Sequence, residues 1–363
     1  DPHDDDSPNG IFPGLTQAVG NARPGDTVII RHSGDLFVDP IQLSKQSLRD
    51  LAIRPARRFR PVLVMGETAD TDPSLFRLHD GKLRLEGLEF RIRPGNRDFK
   101  SLSLVEFIGD GECSLKDCLV TLVRGGETTL ALATVGEHGK VMKPDMPPMR
   151  SKDQGPRLSL ESCFLRGEGD LMTARGNRPL SLDVRDSLAT LSGSLIHLEV
   201  AGEMTTPPQN QMVRISLSQA TTYLGGHLLH LVSTREARGV LPIRCKASNC
   251  LFVPAIAGKS LIQLENLEGD DKSLRERFAW EGGQNAYGAY TSLLSQENME
   301  GTASPMSMDK WKLQPGEDAS NFGVKISVPP PTLRFSQMEQ TNFKVPDSLR
   351  DIGAVGKLPR PSR

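Results

Sequence analysis

The stretch Leu158–Gly202 reads LSLESCFLRGEGDLMTARGNRPLSLDVRDSLATLSGSLIHLEVAG, and it contains two short patterns that each occur twice. The pattern that begins at Leu158 returns at Leu182 after 24 residues, and the pattern that begins at Asp170 returns at Ser194 after the same interval. Short alternating strands separated by Gly, Asn, Asp and Ser at such a period are typical of solenoids, in which each coil buries apolar side chains against its neighbours.

Both patterns can be followed along most of the chain. The first recurs in tetrapeptides whose third residue is Gly or polar, and these begin at Leu85, Leu115, Leu160, Val184, Leu217 and Ala247. The second recurs in tetrapeptides that begin at Leu75, Leu104, Leu130, Leu171, Leu195, Leu228 and Leu261. A polar side chain at a corner can cap the backbone. The sequence therefore predicts an all-β fold, a right-handed parallel β-helix with seven readable coils.

The ends of the chain differ from this repeat. Residues 1–10 are acidic and are expected to be a disordered leader. Residues 11–300 are expected to form the β-helix, with a short N-terminal helix that caps the first coil. Residues 301–363 are expected to form a helix that begins near Ser304 and Pro305, then an irregular strap and a disordered tail.

Three insertions interrupt the repeat at one point of the coil, after the second pattern and before the first. They cover residues 136–156, 202–210 and 233–239. Insertions at one corner emerge on one side of a solenoid, which is often its binding face. They either wall a groove over the adjoining strands or are neutral additions.

Composition excludes several classes of partner. The 363 residues include 44 Lys and Arg and 45 Asp and Glu, so a net charge of -1 gives no overall field that would attract nucleic acid. No run of 18 apolar residues predicts a membrane span. We expect a monomer without a cofactor. The compartment stays open.

The five cysteines follow the repeat. Cys113 and Cys118 have the same spacing as Cys245 and Cys250, which allows a zinc site or a disulfide. However, Leu88, Ser187 and Ala220 fill equivalent positions, which favours small core residues. An odd cysteine count without a dense framework is consistent with a reducing compartment.

The second pattern predicts a column of outward-facing side chains. Alternation directs Phe76, Val105, Ile196, Leu229 and Ile262 inward, so the next residue of each coil faces solvent. This column comprises Arg77, Glu106, Leu132, Thr173, His197, His230 and Gln263. His197 and His230 become stacked neighbours, which suit acid-base chemistry or a metal, or form a simple surface ladder. The column holds no third His or carboxylate trio, so no metal is expected.

Two further clusters are candidate binding residues. Arg54, Arg57, Arg58 and Arg60 surround Phe59 and form either a site for phosphate or acidic sugar or a solvated loop partly neutralised by Asp50. Trp280, Asn285 and Tyr287 flank a Gly-Gly turn. These three residues form either a platform for sugar rings or the plug that seals the end of the core.

Several segments resemble known β-helical proteins. The turn Pro24-Gly-Asp-Thr27 after a short helix resembles the opening of pectin-lyase-like β-helix proteins. PGDTVIIR, FRPVLVMG with LRLEGLEF, FAWEGGQNAYGAY and DIGAVGKLP together resemble β-helical regions attached to large bacterial proteins, some with serine/threonine kinase domains. The chain itself lacks kinase motifs.

These residues predict two alternative functions. The first is a non-catalytic binding or scaffolding β-helix for carbohydrate or a protein partner, as an accessory region of a larger bacterial protein. The second is a polysaccharide lyase or glycoside hydrolase of pectin-lyase-like fold, with His197 and His230 as first catalytic candidates. The aspartate clusters that such enzymes use do not occur at the outward column, which favours the first reading.

Overall fold

The chain forms a parallel β-helix of stacked coils in a computed structural model. The structure describes residues 10–43, 50–95, 97–136, 155–200, 211–234, 240–266, 277–298, 300–306, 308–343, 346–356 and 358–361. Within these ranges each coil contributes one strand to each of three sheets, and every coil pairs with the next in parallel. The predicted all-β parallel solenoid is therefore confirmed.

The first two sheets carry the first pattern and the residues after it. Sheet 1 contains β1 (Thr27–Ile30), β4 (Asp50–Pro55), β7 (Lys82–Glu86), β10 (Glu112–Lys116), β13 (Arg157–Glu161), β16 (Leu180–Arg185), β19 (Val213–Ser218), β22 (Ile243–Ser248) and β25 (Phe278–Glu281). Sheet 2 contains β2 (Gly34–Val38), β5 (Pro61–Met65), β8 (Glu89–Ile92), β11 (Leu119–Leu122), β14 (Phe164–Gly167), β17 (Leu188–Leu191), β20 (Thr221–Leu224), β23 (Leu251–Pro254), β26 (Ala286–Tyr287) and β29 (Asn321–Phe322).

The third sheet carries the second pattern. Sheet 3 contains β3 (Ile41–Leu43), β6 (Ser74–Leu78), β9 (Ser101–Phe107), β12 (Thr129–Val135), β15 (Asp170–Arg175), β18 (Ile196–Val200), β21 (Leu229–Ser233), β24 (Ser260–Glu265), β27 (Ser292–Glu297) and β28 (Ala303–Pro305). The last strand, β28, pairs with β27 in the antiparallel sense.

The corner between sheets 1 and 2 explains the first pattern. Its polar third residues all have left-handed backbone angles, with φ between 42° and 52° at Asp117, Ser162, Asp186, Gln219 and Asn249. Such angles cost little for Asn and Asp, whose short polar side chains can bond the local backbone. The residue that follows each corner turns inward and is buried, and in three coils it is cysteine.

The helix α1 (Leu15–Gly20) covers the first coil and buries Leu15 and Val19, so the predicted cap is confirmed. Near the other end, the helix α2 (Met308–Lys312) begins later than the sequence predicts. Ser304 and Pro305 belong to β28, because they pair with β27 as its last neighbour. No helix among the described residues is long and apolar enough to cross a membrane.

The C-terminal segment packs over the outer face of sheet 2. It includes the 3-10 turns Phe335–Gln337, Gln340–Asn342 and Asp347–Leu349, whereas the preceding turn Glu317–Ala319 lies at the end of the core. Its apolar side chains pack against outward residues of sheet 2, among them Phe164, Leu188 and Tyr223. Arg166 of β14 donates to the carbonyl of Met338 at 2.8 Å. Sheet 2 is therefore buried on both faces over the coils that this segment reaches.

Candidate functional site

The outer face of sheet 3 holds the polar column that the sequence predicts, with one correction. Register pairs join Arg77 to Glu106 and Thr173 to His197, and His230 follows His197 and precedes Gln263. Leu132 is wrong as a member, because it is fully buried. Thr134 pairs with both Glu106 and Thr173 and occupies the position instead.

The N-terminal half of this column is electrostatically neutralised. Nε of Arg77 donates to Oε2 of Glu106 at 2.7 Å, and its terminal nitrogen lies 2.5 Å from Oδ2 of Asp70. Partial burial lowers the pKa of Arg77, but the two carboxylates outweigh it and raise that pKa above its usual value. Arg77 and Glu106 are thus bound to each other rather than free for a charged ligand.

Three imidazoles meet in the C-terminal half of the face. The ring of His230 lies between those of His197 and His227, with centroid distances of 4.7 Å and 5.2 Å. Nε2 of His230 is 2.8 Å from Oε1 of Glu265 on the next coil. The side chains of His197 and His230 are 26% and 20% exposed, so solvent and a ligand can reach both.

His197 has a ring nitrogen without a hydrogen bond. Its Nε2 is buried and has no hydrogen-bond partner among the described residues. Oε1 of Glu199 is 3.8 Å away, which is too long for a hydrogen bond. Because this nitrogen is buried, a ligand on the outer face reaches it only if the imidazole ring moves.

A second row beside the column links these imidazoles to Asp170. Oδ1 of Asp170 accepts the backbone N–H of Ser194 at 2.5 Å, and the hydroxyl of Ser194 accepts the backbone N–H of His227 at 3.0 Å. Nδ1 of His227 lies 2.7 Å from the carbonyl oxygen of Ser260, which makes Nδ1 the donor. The hydroxyl of Ser260 donates to Oε1 of Gln263 at 2.9 Å, and this hydrogen bond connects the second row to the column.

Burial changes the acidity of two groups in this row. It raises the pKa of Asp170 above its usual value, although the Ser194 N–H and the imidazoles of His197 and His230 partly offset that rise. It lowers the pKa of His227 to about 4. Pairs of groups whose environments shift their proton affinities are common at acid-base sites. Asp170, His197, His227, His230 and Glu265 are therefore called the histidine cluster.

The sequence predicted two of these five residues. Asp170, His227 and Glu265 are absent from the predicted column, because that column contains only one outward residue of each coil. The first residue was an equally good signal, since the aligned tetrapeptides read DLMT, SLIH, HLLH and SLIQ from Asp170, Ser194, His227 and Ser260. Strict alternation would place residues three apart on opposite faces of a strand. Both ends of each tetrapeptide lie on one face here because the two middle residues are both buried.

The described residues contain no group of three or more His, Cys, Asp or Glu side chains arranged to hold a metal ion. The histidine cluster can instead exchange protons and form hydrogen bonds with a ligand. The five cysteines are buried and free, as the swap with Leu, Ser and Ala predicted. Burial raises the pKa of Cys250 to about 12, which makes its thiol unreactive at neutral pH.

The basic cluster lies elsewhere, at the corner between β4 and β5. Arg54, Arg57, Arg58 and Arg60 are all exposed there. Asp50, which the sequence gives as their partly neutralising neighbour, lies 3.3 Å from Arg84 on the neighbouring strand.

The residues near the C-terminal end form the plug that the sequence allowed as one of two alternatives, so the other alternative, a sugar platform with Trp280, Asn285 and Tyr287 as binding residues, is wrong. Trp280 is 2% exposed, and Asn285 and Tyr287 are fully buried. All three donate to Oε1 of Glu317, at 2.6 Å, 3.2 Å and 2.8 Å respectively. No ring face of these residues is available to a ligand.

The three insertions leave sheet 3 where the sequence places them. They follow β12, β18 and β21, and the chain re-enters sheet 1 at β13, β19 and β22. Residues 137–154, 201–210 and 235–239 lie outside the described residues. The expected groove walls therefore stay a prediction.

Comparison with known proteins identifies no relative. No protein-family model matches the chain, and neither a search of curated proteins nor a search of solved structures finds a match. Functional reasoning for this chain therefore starts from its own geometry.

Proposed function

We propose that the protein is a non-catalytic binding β-helix that holds a polysaccharide against the outer face of sheet 3. The observation that carries the proposal is the half-buried polar column from Thr134 to Gln263. Among the described residues, only sheet 2 has an outer face packed under apolar side chains of another segment.

Hydrogen-bonding groups on this face suit a carbohydrate. Thr134, Thr173 and Gln263 offer neutral donors and acceptors, Arg77 and Glu106 neutralise each other, and His230 lies 2.8 Å from Glu265. Adjacent coils repeat at about 4.8 Å, so an extended glycan along the solenoid axis meets a similar group at each coil. Its hydroxyl groups can replace the water that these side chains otherwise bind.

A protein partner fits the face less well. Stable protein interfaces have a buried core enriched in aromatic and other apolar side chains. Of the large exposed apolar side chains in the described residues, none belongs to a strand of sheet 3. The composition of this face therefore favours a carbohydrate over a protein as the ligand.

The second candidate is a polysaccharide lyase or glycoside hydrolase, in keeping with the resemblance to pectin-lyase-like proteins. The histidine cluster favours it, because the pKa of Asp170 is raised and His197 has a nitrogen without a hydrogen bond. A carboxyl group with a raised pKa and an adjacent imidazole can serve as general acid and general base in the cleavage of a glycosidic bond.

Binding is tested with a bulky substitution on the face. Thr173→Arg places a long side chain in the middle of the column without touching the core. Ser216→Arg is the matched control, since Ser216 faces outward on sheet 1. We expect Thr173→Arg to reduce retention on an immobilised neutral polysaccharide at least about tenfold, which equals 1.4 kcal/mol of binding free energy. Equal retention of both variants would refute the proposal.

Catalysis is tested on the same polysaccharide panel. Lyase action releases unsaturated products and hydrolysis releases new reducing ends. The double variant His197→Ala/His230→Ala is expected to abolish either signal if the enzyme reading is right. Cleavage that survives the double variant would remove these two residues as catalysts, whereas retention without any product supports the binding proposal.

The accessory role is a separate part of the proposal. The resemblance to β-helical regions of large bacterial proteins supports placing this chain beside another domain, including a kinase. The flanking gene sequence tests this directly. An open reading frame that ends at both limits of the present chain would argue against it.

A further inference from the structure

Arginine side chains from two successive coils meet at the N-terminal corner between sheets 1 and 2. The strand β1 pairs with β4, so Ile29 lies beside Arg54, and the N–H of Ala56 donates to the carbonyl of Ile30 at 2.8 Å. Beyond these strands, the N–H of Gly34 donates to the carbonyl of Arg60 at 3.0 Å. Arg31 of the first coil therefore lies next to four arginines of the second coil. We call this set the arginine corner, and it comprises Arg31, Arg54, Arg57, Arg58 and Arg60.

The arginine corner is exposed and unneutralised. All five side chains are exposed, and none forms an ion pair with another described residue. The nearby acids are engaged by other arginines. Asp50 lies 3.3 Å from Arg84, and both carboxylate oxygens of Asp35 accept from one nitrogen of Arg91 at 2.9 Å.

Backbone strain is stored at the centre of this corner. Arg58 has a φ of 77°, at the third position of a turn closed by a 3.0 Å hydrogen bond from the Phe59 N–H to the Ala56 carbonyl. Glycine or asparagine normally fills such a position. At the corners between sheets 1 and 2 in later coils the left-handed residues are Gly, Asp, Ser, Gln and Asn, whereas Arg58 has a long cationic side chain. Strain of this kind concentrates at functional sites.

Exposed apolar side chains accompany the charges. Phe59 lies within the run of arginines and is 39% exposed, and Ile29 beside Arg54 is 50% exposed. An apolar surface next to guanidinium groups can take the flat face of a sugar ring while the guanidinium groups hold its acidic substituents.

The size of the patch limits the ligand. It spans two coils, or about 10 Å along the solenoid axis at the spacing of parallel strands. Further along sheet 1 the outward charges neutralise one another, as in the pairs Lys82–Glu112 at 3.1 Å and Lys116–Glu161 at 2.7 Å. A duplex nucleic acid or a membrane surface would extend over that neutralised face and gain little from it.

We infer that the arginine corner binds a short acidic saccharide, whose carboxylate or sulfate groups the guanidinium forks engage bidentately. Arginine suits planar oxyanions better than lysine because its donors form a fixed fork. The site is separate from the outer face of sheet 3, and it takes the charged sugars that the neutral column there does not select.

The experiment uses the full chain and calorimetric titration with four ligands. They are an oligogalacturonate, a sulfated oligosaccharide, a neutral cello-oligosaccharide and a short duplex DNA. We expect the oligogalacturonate, the sulfated oligosaccharide or both to bind, with affinity that falls as salt is raised. The two acidic arms distinguish carboxylate from sulfate as the preferred group.

The variant Arg57→Gln/Arg60→Gln is expected to weaken acidic-sugar binding at least about tenfold, as the loss of charge-assisted hydrogen bonds implies. Arg157→Gln/Arg185→Gln is the matched control. It also removes two exposed arginines from the region of sheet 1, but both of them lie beside Asp183. The variant Thr173→Arg tests the sheet 3 face and is expected to leave acidic-sugar binding unchanged.

Three outcomes would overturn the inference. They are the absence of binding to both acidic saccharides, an equal loss in the two arginine variants, and tighter binding of DNA than of either saccharide. A loss in Thr173→Arg with none in Arg57→Gln/Arg60→Gln would move acidic-sugar binding to sheet 3, so the two proposals can fail separately.

Discussion

The carboxylate of Asp170 accepts a 2.5 Å hydrogen bond from the backbone N–H of Ser194, which stands directly above it on the next coil. This bond fixes one carboxylate oxygen at the edge of the histidine cluster. Burial nevertheless raises the pKa of Asp170, so ionisation of this carboxyl group destabilises the folded protein. A residue kept despite such a cost is better explained by function than by stability.

The first prediction concerns Asp170→Asn, which keeps an oxygen acceptor for Ser194 but carries no charge. Because the folded pKa lies above the usual 3.8, wild-type stability falls as pH rises from 3.8 through the folded value. The variant should therefore match the wild type in strong acid and exceed it at neutral pH. Urea unfolding across this pH range measures the difference. Asp309→Asn, at a side chain 94% exposed, is the control and should show no such trend.

His227 titrates with the opposite sign. Burial lowers its pKa to about 4 from 6.5, so the unfolded chain binds more protons between these values and stability falls as pH drops from 6.5 to 4. The full loss is roughly 3 kcal/mol. In His227→Asn an amide N–H can donate to the Ser260 carbonyl, and this part of the pH dependence should disappear. Parallel stability curves for variant and wild type would contradict the assignment.

The sequence could predict the coil stacking and the pairing of His197 with His230, because the second pattern recurs at Leu195 and Leu228 and its alignment defines which residues are vertical neighbours. The sequence misplaced Leu132, because the run Leu130-Ala-Leu-Ala133 can be aligned with the neighbouring coils in two registers that differ by two residues. Both registers place an apolar side chain inward. The plug that buries Trp280 was one of the two structures that the sequence allowed. Its acceptor Glu317 could not be identified, because it is 37 residues further along the chain and outside the repeat.

Arg58 offers a prediction that separates strain from charge. Arg58→Gly removes both the guanidinium group and the left-handed strain, whereas Arg58→Ala removes the charge alone. We expect Arg58→Gly to be more stable than the wild type by up to about 1 kcal/mol. The left-handed backbone costs a non-glycine residue about 1–2 kcal/mol, and glycine avoids this cost but loses more conformational entropy on folding, which cancels part of the gain. Thermal unfolding measures both variants. Equal melting of the two would show that the turn stores no strain.

The last residues of the C-terminal segment are expected to detach when their apolar anchor is lost. Leu358 is 3% exposed and packs on Leu119, Phe164 and Leu188. Leu358→Asp should lower the free energy of unfolding by about 1.5–3 kcal/mol through the lost apolar burial. It should also accelerate amide exchange in residues 351–361, where the N–H of Ala354 donates to the hydroxyl of Thr221 in the wild type. Val328→Asp, at a side chain 44% exposed, is the control and should leave that exchange unchanged.

Glu317 holds the C-terminal plug together. Its Oε1 accepts from Trp280, Asn285 and Tyr287, and the residue is fully buried. Glu317→Ala leaves three buried donors without an acceptor and should lower the free energy of unfolding by about 3–5 kcal/mol. Glu317→Gln retains the oxygen and should lose less, while Glu300→Ala at an exposed site serves as the control.

A local reporter distinguishes a loosened plug from global unfolding. The backbone N–H of Cys250 donates to Oδ1 of Asn285, and Asn285 in turn depends on Glu317. If the plug opens first, Glu317→Ala should make Cys250 react with a thiol reagent sooner than Cys113, which lies in an earlier coil on sheet 1. Equal reaction rates of the two thiols would mean that the coils unfold together, and that Glu317 stabilises the whole solenoid rather than its end.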